Sequence, residues 1–157
     1  MPTTFYVCCG PGRPNTFLFS LPAESAWLGW YAAAQGYTGF LRWGYNSWGT
    51  DPFFFDISHS VWPAGDCFLV YPGPRSSIRF ERLREGIQDY EKIQILRRVL
   101  RHSDSPRAAG ALQRLDEMLA RFSYPLPGKP SCTDAVNAAR ALLSELSRET
   151  WSGACKY

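Results

Sequence analysis

Residues 67–71 form an unbroken apolar run, CFLVY, that ends at Pro72-Gly73-Pro74, and a long segment of helical period begins directly behind it. A short, continuously apolar run is what a strand shows when both faces of its sheet are covered, as in a parallel sheet. Parallel strands need crossover connections, usually helices. This one transition therefore points the whole chain toward a layered α/β fold.

The rest of the chain fits that layout. Thr3 to Cys9 is a β-branched and aromatic run stopped by Gly10-Pro11-Gly12, and reads as a strand followed by a loop. A helix is predicted from about Pro22 to Gln35: Pro22 suits its first turn, Glu24 complements the N-terminal dipole and Gly36 suits the position after its end. Trp27, Trp30, Tyr31 and Ala34 fall on a single apolar face. Gly39 to Tyr45 reads as a second strand. Asn46 to Gly65 is a long loop containing Phe53, Phe54, Phe55 and His59, and loops of such length usually serve a site.

Three helices are expected behind the apolar run. Ser76 or Ser77 can cap the first, which extends to about Arg101 with Phe80, Leu83, Ile87 and Tyr90 along one face. Ser105-Pro106 opens the second, with Leu112, Leu115, Leu119 and Phe122 on one side. A proline and glycine hinge at 125–130 precedes the third, where Val136, Ala139, Leu143 and Leu146 repeat the pattern. Strands alternating with helices imply a parallel sheet with right-handed crossovers. About three parallel strands cannot close a barrel, so the fold is expected to be incomplete by itself.

Charge and aromatic content divide the chain. Residues 1–74 carry a net −2 and 18 of the 24 aromatic side chains, whereas residues 75–157 carry a net +5. The front half is thus core and site material, and the back half is solvated helix. Basic residues on the last helices are interleaved with acidic ones, which argues against a nucleic-acid stripe. Prolines stand where a phosphate-binding loop needs N–H groups. No apolar run has the length of a membrane span, and no basic-then-apolar leader opens the chain. The five cysteines lack metal-ligand spacing and read as free thiols; Cys8 and Cys9 would point to opposite sides if both lay in a strand. No metal or other cofactor is expected.

In parallel α/β folds, ligands meet the C-terminal ends of the strands. The second strand would deliver Trp43, Tyr45, Asn46 and Trp48 there, and the third Tyr71. Aromatic faces with a few hydrogen-bonding groups suit a sugar, although such rings also fill barrel ends as core. Three aromatic rings around an Asn favour the site. Asp66 reads as a turn residue, and Arg79, Glu81, Arg84, Asp89 and Glu91 as a solvated helix face. His59 and His102 are isolated. Asp116-Glu117 lies mid-helix between Leu115 and Met118 and reads as surface, so no catalytic pair of carboxylates is visible.

The block from Trp62 to Leu96, with LRWGYNSW ahead of it, carries GD-x-x-LVYPG and SIR-x-E-x-LR-x-GI-x-DYE. Over about residues 4–101 the chain resembles the C-terminal half of the catalytic domain of glycoside hydrolase family 123, also described as domain of unknown function 4091. The resemblance implies the C-terminal portion of a (β/α)8 TIM-type barrel over residues 1–101, followed by a helical extension over 102–157 that packs on it. It also implies action on terminal β-linked N-acetylgalactosamine or another 2-acetamido sugar. In that family the substrate's acetamido oxygen is the nucleophile, an Asp orients it and the adjacent Glu is the general acid, a departure from the two-carboxylate scheme.

That Asp-Glu pair lies upstream of everything matched here, and Asp116-Glu117 cannot inherit the role. What carries over is the pocket wall: Trp43, Tyr45, Asn46, Trp48 and Tyr71. The chain is thus expected to supply sugar-binding groups and no catalytic ones. Its implied partners are a carbohydrate and either the missing N-terminal part of the barrel or a second copy of itself. A non-catalytic carbohydrate-binding module and a subunit or interaction domain remain alternatives. The parent family is expected to be secreted or periplasmic.

Overall fold

The protein's structure, a computed structural model, describes residues 1–48, 62–73, 75–125 and 132–154. Phe53 to Phe55, His59, most of the 125–130 hinge and Cys155 lie outside the described residues. Six elements occur in the order β1 (Thr4–Tyr6), α1 (Pro22–Gln35), β2 (Gly39–Leu41), α2 (Ile78–Arg101), α3 (Pro106–Leu119) and α4 (Cys132–Ala154). This is a mixed α/β arrangement of two parallel strands and four helices.

β1 and β2 pair in parallel, with Phe5 opposite Phe40, and α1 connects them as a βαβ unit. α1 begins at its Pro22 and ends where Gly36 takes a left-handed φ of 74°, a conformation that costs glycine nothing. Ser77 caps α2 by accepting from the Phe80 N–H, and Ser105 caps α3 by accepting from the Arg107 N–H.

Both strands are shorter than their sequence suggests. One further parallel bond runs from the Val7 N–H to the Leu41 carbonyl at 3.2 Å, and then the Cys8 N–H turns to the Gly10 carbonyl at 3.1 Å. The Asn15 amide captures the Cys8 and Pro11 carbonyls at 2.8 and 2.6 Å. A backbone captured by a side chain has left the sheet.

The expected third parallel strand is a correction. Among the described residues, the 67–71 run forms no parallel ladder but two isolated antiparallel bridges, Asn46 to Phe68 and Tyr71 to Arg75. Its carbonyls are engaged elsewhere. Cys67 O accepts from the Ser47 N–H at 3.1 Å, Phe68 O from Arg79 Nη1 at 2.8 Å, Leu69 O from the Ser77 hydroxyl and Val70 O from Trp48 Nε1 at 2.9 Å. Four of the run's five carbonyls are thus engaged outside a parallel ladder. Cys67, Phe68 and Leu69 are buried, so the run is apolar because it is core.

The helices pack around one continuous core. α1 and α2 approach backbone to backbone: a Cβ added at Gly29 would lie 2.1 Å from the Gly86 carbonyl oxygen, and one at Gly86 would lie 2.5 Å from that of Ala26. Hence the buried stripe of α2 runs through Gly86, and Ile87, predicted on the apolar face, is 50% exposed. Trp27 and Trp30 pack on Phe122, and α3 and α4 close the cluster with Leu115, Val136, Ala139, Leu143 and Leu146. Asp89, expected on a solvated face, is buried; it accepts from Trp30 Nε1 at 3.2 Å and Arg140 Nε at 2.6 Å. That pair ties α4 to the α1–α2 contact.

Candidate functional site

The C-terminal end of β2 runs straight into residues 42–48, and their geometry starts with a buried ion pair. Arg42 Nη2 lies 2.9 Å from Asp66 Oδ1, with both side chains withdrawn from solvent. Arg42 also donates to the Asp66 carbonyl at 2.8 Å and to Asn15 Oδ1 at 3.2 Å. Burial pushes the Arg42 guanidinium down from its ordinary value, and Asp66 opposes that shift. The second oxygen of Asp66 accepts from Trp43 Nε1 at 2.9 Å. Asp66 does close a turn, its N–H reaching the Pro63 carbonyl at 2.9 Å, but at 1% exposure it also anchors the Trp43 indole.

A second buried cation backs the same region. Arg79, predicted to be solvated, is 3% exposed; its Nη1 donates to the carbonyls of Thr16, Gly65 and Phe68 at 2.6, 3.0 and 2.8 Å. Its guanidinium carbon sits 5.0 Å from the Phe68 ring centroid. Desolvation lowers it to about 10, so it remains charged at neutral pH. Arg79 thus fixes the loop before α1, the turn at Gly65 and the 67–71 run onto the first turn of α2.

The predicted site residues divide into two groups. Trp43 (46% exposed) meets Trp62 edge-on, with ring centroids 6.3 Å apart, and Tyr45 (51% exposed) meets Phe80 at 5.7 Å. Trp48 and Tyr71 are half-buried. Trp48 packs on Phe68 at 4.0 Å and on Tyr71 at 5.7 Å, with its indole N–H spent on Val70. Asn46 is exposed, and its backbone bridges Phe68. The structure therefore brings Trp48 and Tyr71 together as backing. It leaves Trp43, Tyr45 and Asn46 facing outward.

Sequence reasoning missed Trp62, Arg42 and the anchoring role of Asp66. The only hint was the Gly65-Asp66 step ahead of the apolar run. Chemically, outward rings held at fixed angles can stack on the C–H faces of a ring-shaped ligand, and the Asn46 amide can donate and accept. Both oxygens of Asp66 are engaged within the protein, one by Arg42 and the other by Trp43. Asp116 is bound by Arg97 at 2.7 Å and Glu117 accepts from Gln113 at 2.8 Å, both on the surface. Among the described residues no three His, Cys, Asp or Glu side chains are grouped to hold a metal ion.

Residues 1–96 match the model of the glycoside hydrolase 123 catalytic domain. The chain belongs to glycoside hydrolase family 123. It is similar to the structure of a family 123 glycoside hydrolase from Clostridium perfringens, solved in a study of glycolipid glycan hydrolysis, with 25% identity and a TM-score of 0.79. That match covers 99% of this chain and 29% of the other, so the chain spans less than a third of its solved relative. No curated protein matches it. The family match takes in β1, α1, β2, residues 42–48 and most of α2; the similarity to the solved structure extends through α3 and α4.

Proposed function

We propose that this family 123 chain forms the C-terminal part of a (β/α)-barrel glycoside hydrolase and contributes one wall of its sugar-binding pocket. Residues 1–101 supply barrel elements, and 102–157 form a helical extension over them. Trp43, Tyr45 and Asn46 contact the sugar; Trp48 and Tyr71 back them. The substrate is a terminal β-linked N-acetylgalactosamine or a related 2-acetamido sugar, and the catalytic Asp-Glu pair belongs to barrel elements other than those present here.

The observation that carries this reading is the Asp66 clamp on Trp43. An exposed indole would ordinarily rotate, and a buried ion pair that fixes it costs desolvation. Such an arrangement is understandable where a ring must present one face to a ligand. The test has two arms: calorimetric titration with N-acetylgalactosamine, and turnover of an aryl β-N-acetylgalactosaminide. Saturable binding without hydrolysis is expected. Hydrolysis by this chain alone would overturn the placement of the catalytic pair, and absence of binding would overturn the wall.

A second reading, an interaction domain that completes its sheet on another polypeptide, is favoured by one feature. Among the described residues β1 pairs on one side only, and a groove of about 260 Å3 beside it is lined by Phe5, Tyr6, Val7, Trp27 and Tyr31. In a whole barrel a further strand and helix would cover that edge. Light scattering separates the cases: a monomer at all concentrations argues against self-pairing.

A further inference from the structure

The end of β1 carries a feature that sugar binding does not use. Cys8 and Cys9 lie just past the strand, where the backbone has already turned, and their Sγ atoms are 3.7 Å apart rather than on opposite sides. Cys9 is exposed and Cys8 half-buried, while Cys67 and Cys132 are buried. A hydrogen bond from the Gly10 backbone lowers the Cys8 thiol from its ordinary value, and the hydrogen bond with Cys8 raises that of Cys9. One sulfur is thus favoured as thiolate and has a second thiol beside it, the pattern of an attacking and a resolving cysteine.

We propose that Cys8 and Cys9 form a redox-active dithiol that a small organic disulfide, such as glutathione disulfide, converts reversibly to a vicinal disulfide, and that ring closure is transmitted to Trp43. In the first step the Cys8 thiolate attacks one sulfur of the small disulfide and expels a small thiolate, leaving a mixed disulfide on Cys8. Cys9, losing its proton, attacks the Cys8 sulfur and expels the second small thiolate. Two protein thiols are oxidised, one small disulfide is reduced to two small thiols, and the two protons pass to the departing thiolates.

The transmission follows from covalent geometry. The ring closed by a Cys8–Cys9 disulfide contains the peptide group between them, so drawing the sulfurs from 3.7 Å to a bonded distance of about 2 Å must reorient that peptide. Its carbonyl, that of Cys8, accepts from Asn15 Nδ2 at 2.8 Å. Asn15 Oδ1 accepts from Arg42 Nη1 at 3.2 Å; Arg42 Nη2 holds Asp66 Oδ1 at 2.9 Å; and Asp66 Oδ2 holds Trp43 Nε1 at 2.9 Å. Asn15 and Asp66 are buried, as is the Arg42 side chain, so the series has little slack. The dithiol is thereby linked to the indole at the front of the wall.

The test needs no sugar, so its failure is distinct from failure of the binding proposal. The whole chain is equilibrated in glutathione redox buffers, and peptides are mapped by mass spectrometry without reduction. The expected result is a peptide containing both Cys8 and Cys9 that has lost two hydrogens, recovers them with dithiothreitol, and carries glutathione instead in Cys9→Ser. Oxidation should also shift tryptophan emission in the wild type and leave it unshifted in Trp43→Phe. Stable glutathione adducts on both cysteines of the wild type, pairing with other cysteines, or no reaction would overturn the dithiol. A Cys8–Cys9 disulfide with unchanged emission would overturn the transmission.

Discussion

Asp66 and Trp43 are joined by one hydrogen bond, Nε1 to Oδ2 at 2.9 Å, and the other oxygen of the same carboxylate is bound to Arg42 at 2.9 Å. A carboxylate shared in this way fixes the orientation of an exposed indole by means of a buried charge. Stability and site geometry therefore depend on the same residue.

Asp66→Ala should be severely destabilising. It leaves Arg42 buried without its counter-charge, a loss of about 3–5 kcal/mol for a broken buried pair. Urea unfolding measures it. A loss below about 1 kcal/mol, the range of surface pairs, would show that the pair is not held from water.

Trp43→Ala and Trp48→Ala should separate surface from backing. Trp43 is exposed, so its truncation should cost little in thermal stability. Trp48 packs on Phe68 and Tyr71, and removing it should cost about 2 kcal/mol or more. Equal losses in the two melting curves would contradict the division.

Gly29→Ala and Gly110→Ala provide a contrast between two helical glycines. At Gly29 the new methyl would meet the Gly86 carbonyl at 2.1 Å, and forcing the helices apart should cost about 1–3 kcal/mol or more. At Gly110, inside α3, the methyl meets nothing within 4 Å, and the substitution should stabilise by up to about 1 kcal/mol. Paired denaturation curves should move in opposite directions.

Thiol alkylation should follow a pH order. Cys8 is lowered from its ordinary value, so its thiolate forms, and its reaction rate rises, at lower pH than for an unperturbed thiol. Burial raises Cys132, so its reaction requires higher pH as well as access. Peptide-resolved iodoacetamide rates across pH check this; faster labelling of Cys132 at neutral pH would contradict it.

What could be read from the sequence was local. Pro22, Gly36, Ser77 and Ser105-Pro106 mark helix ends through bonds within a few residues, and they placed α1, α2 and α3 correctly. The 67–71 run misled because apolarity reports burial rather than strand geometry, and its carbonyls are taken by Ser47, Trp48, Ser77 and Arg79. Arg79 and Asp89 looked like surface charges because their partners are distant in sequence: Thr16 for one, Trp30 and Arg140 for the other. Trp43, Tyr45 and Asn46 were legible as groups delivered at the end of the second strand, although that strand stops at Leu41 rather than at Tyr45. The pairing of Trp43 with Trp62 was not, because it depends on how the chain returns at Pro63 and Asp66.

The central claim is that the end of β2 presents a sugar-binding wall led by Trp43. Saturation-transfer NMR with N-acetylgalactosamine tests it most directly, comparing the wild type with Trp43→Ala after confirming that both are folded. The account predicts transfer to the sugar's ring protons in the wild type and its loss in the variant. Equal transfer to both proteins, or none to the wild type, would contradict it.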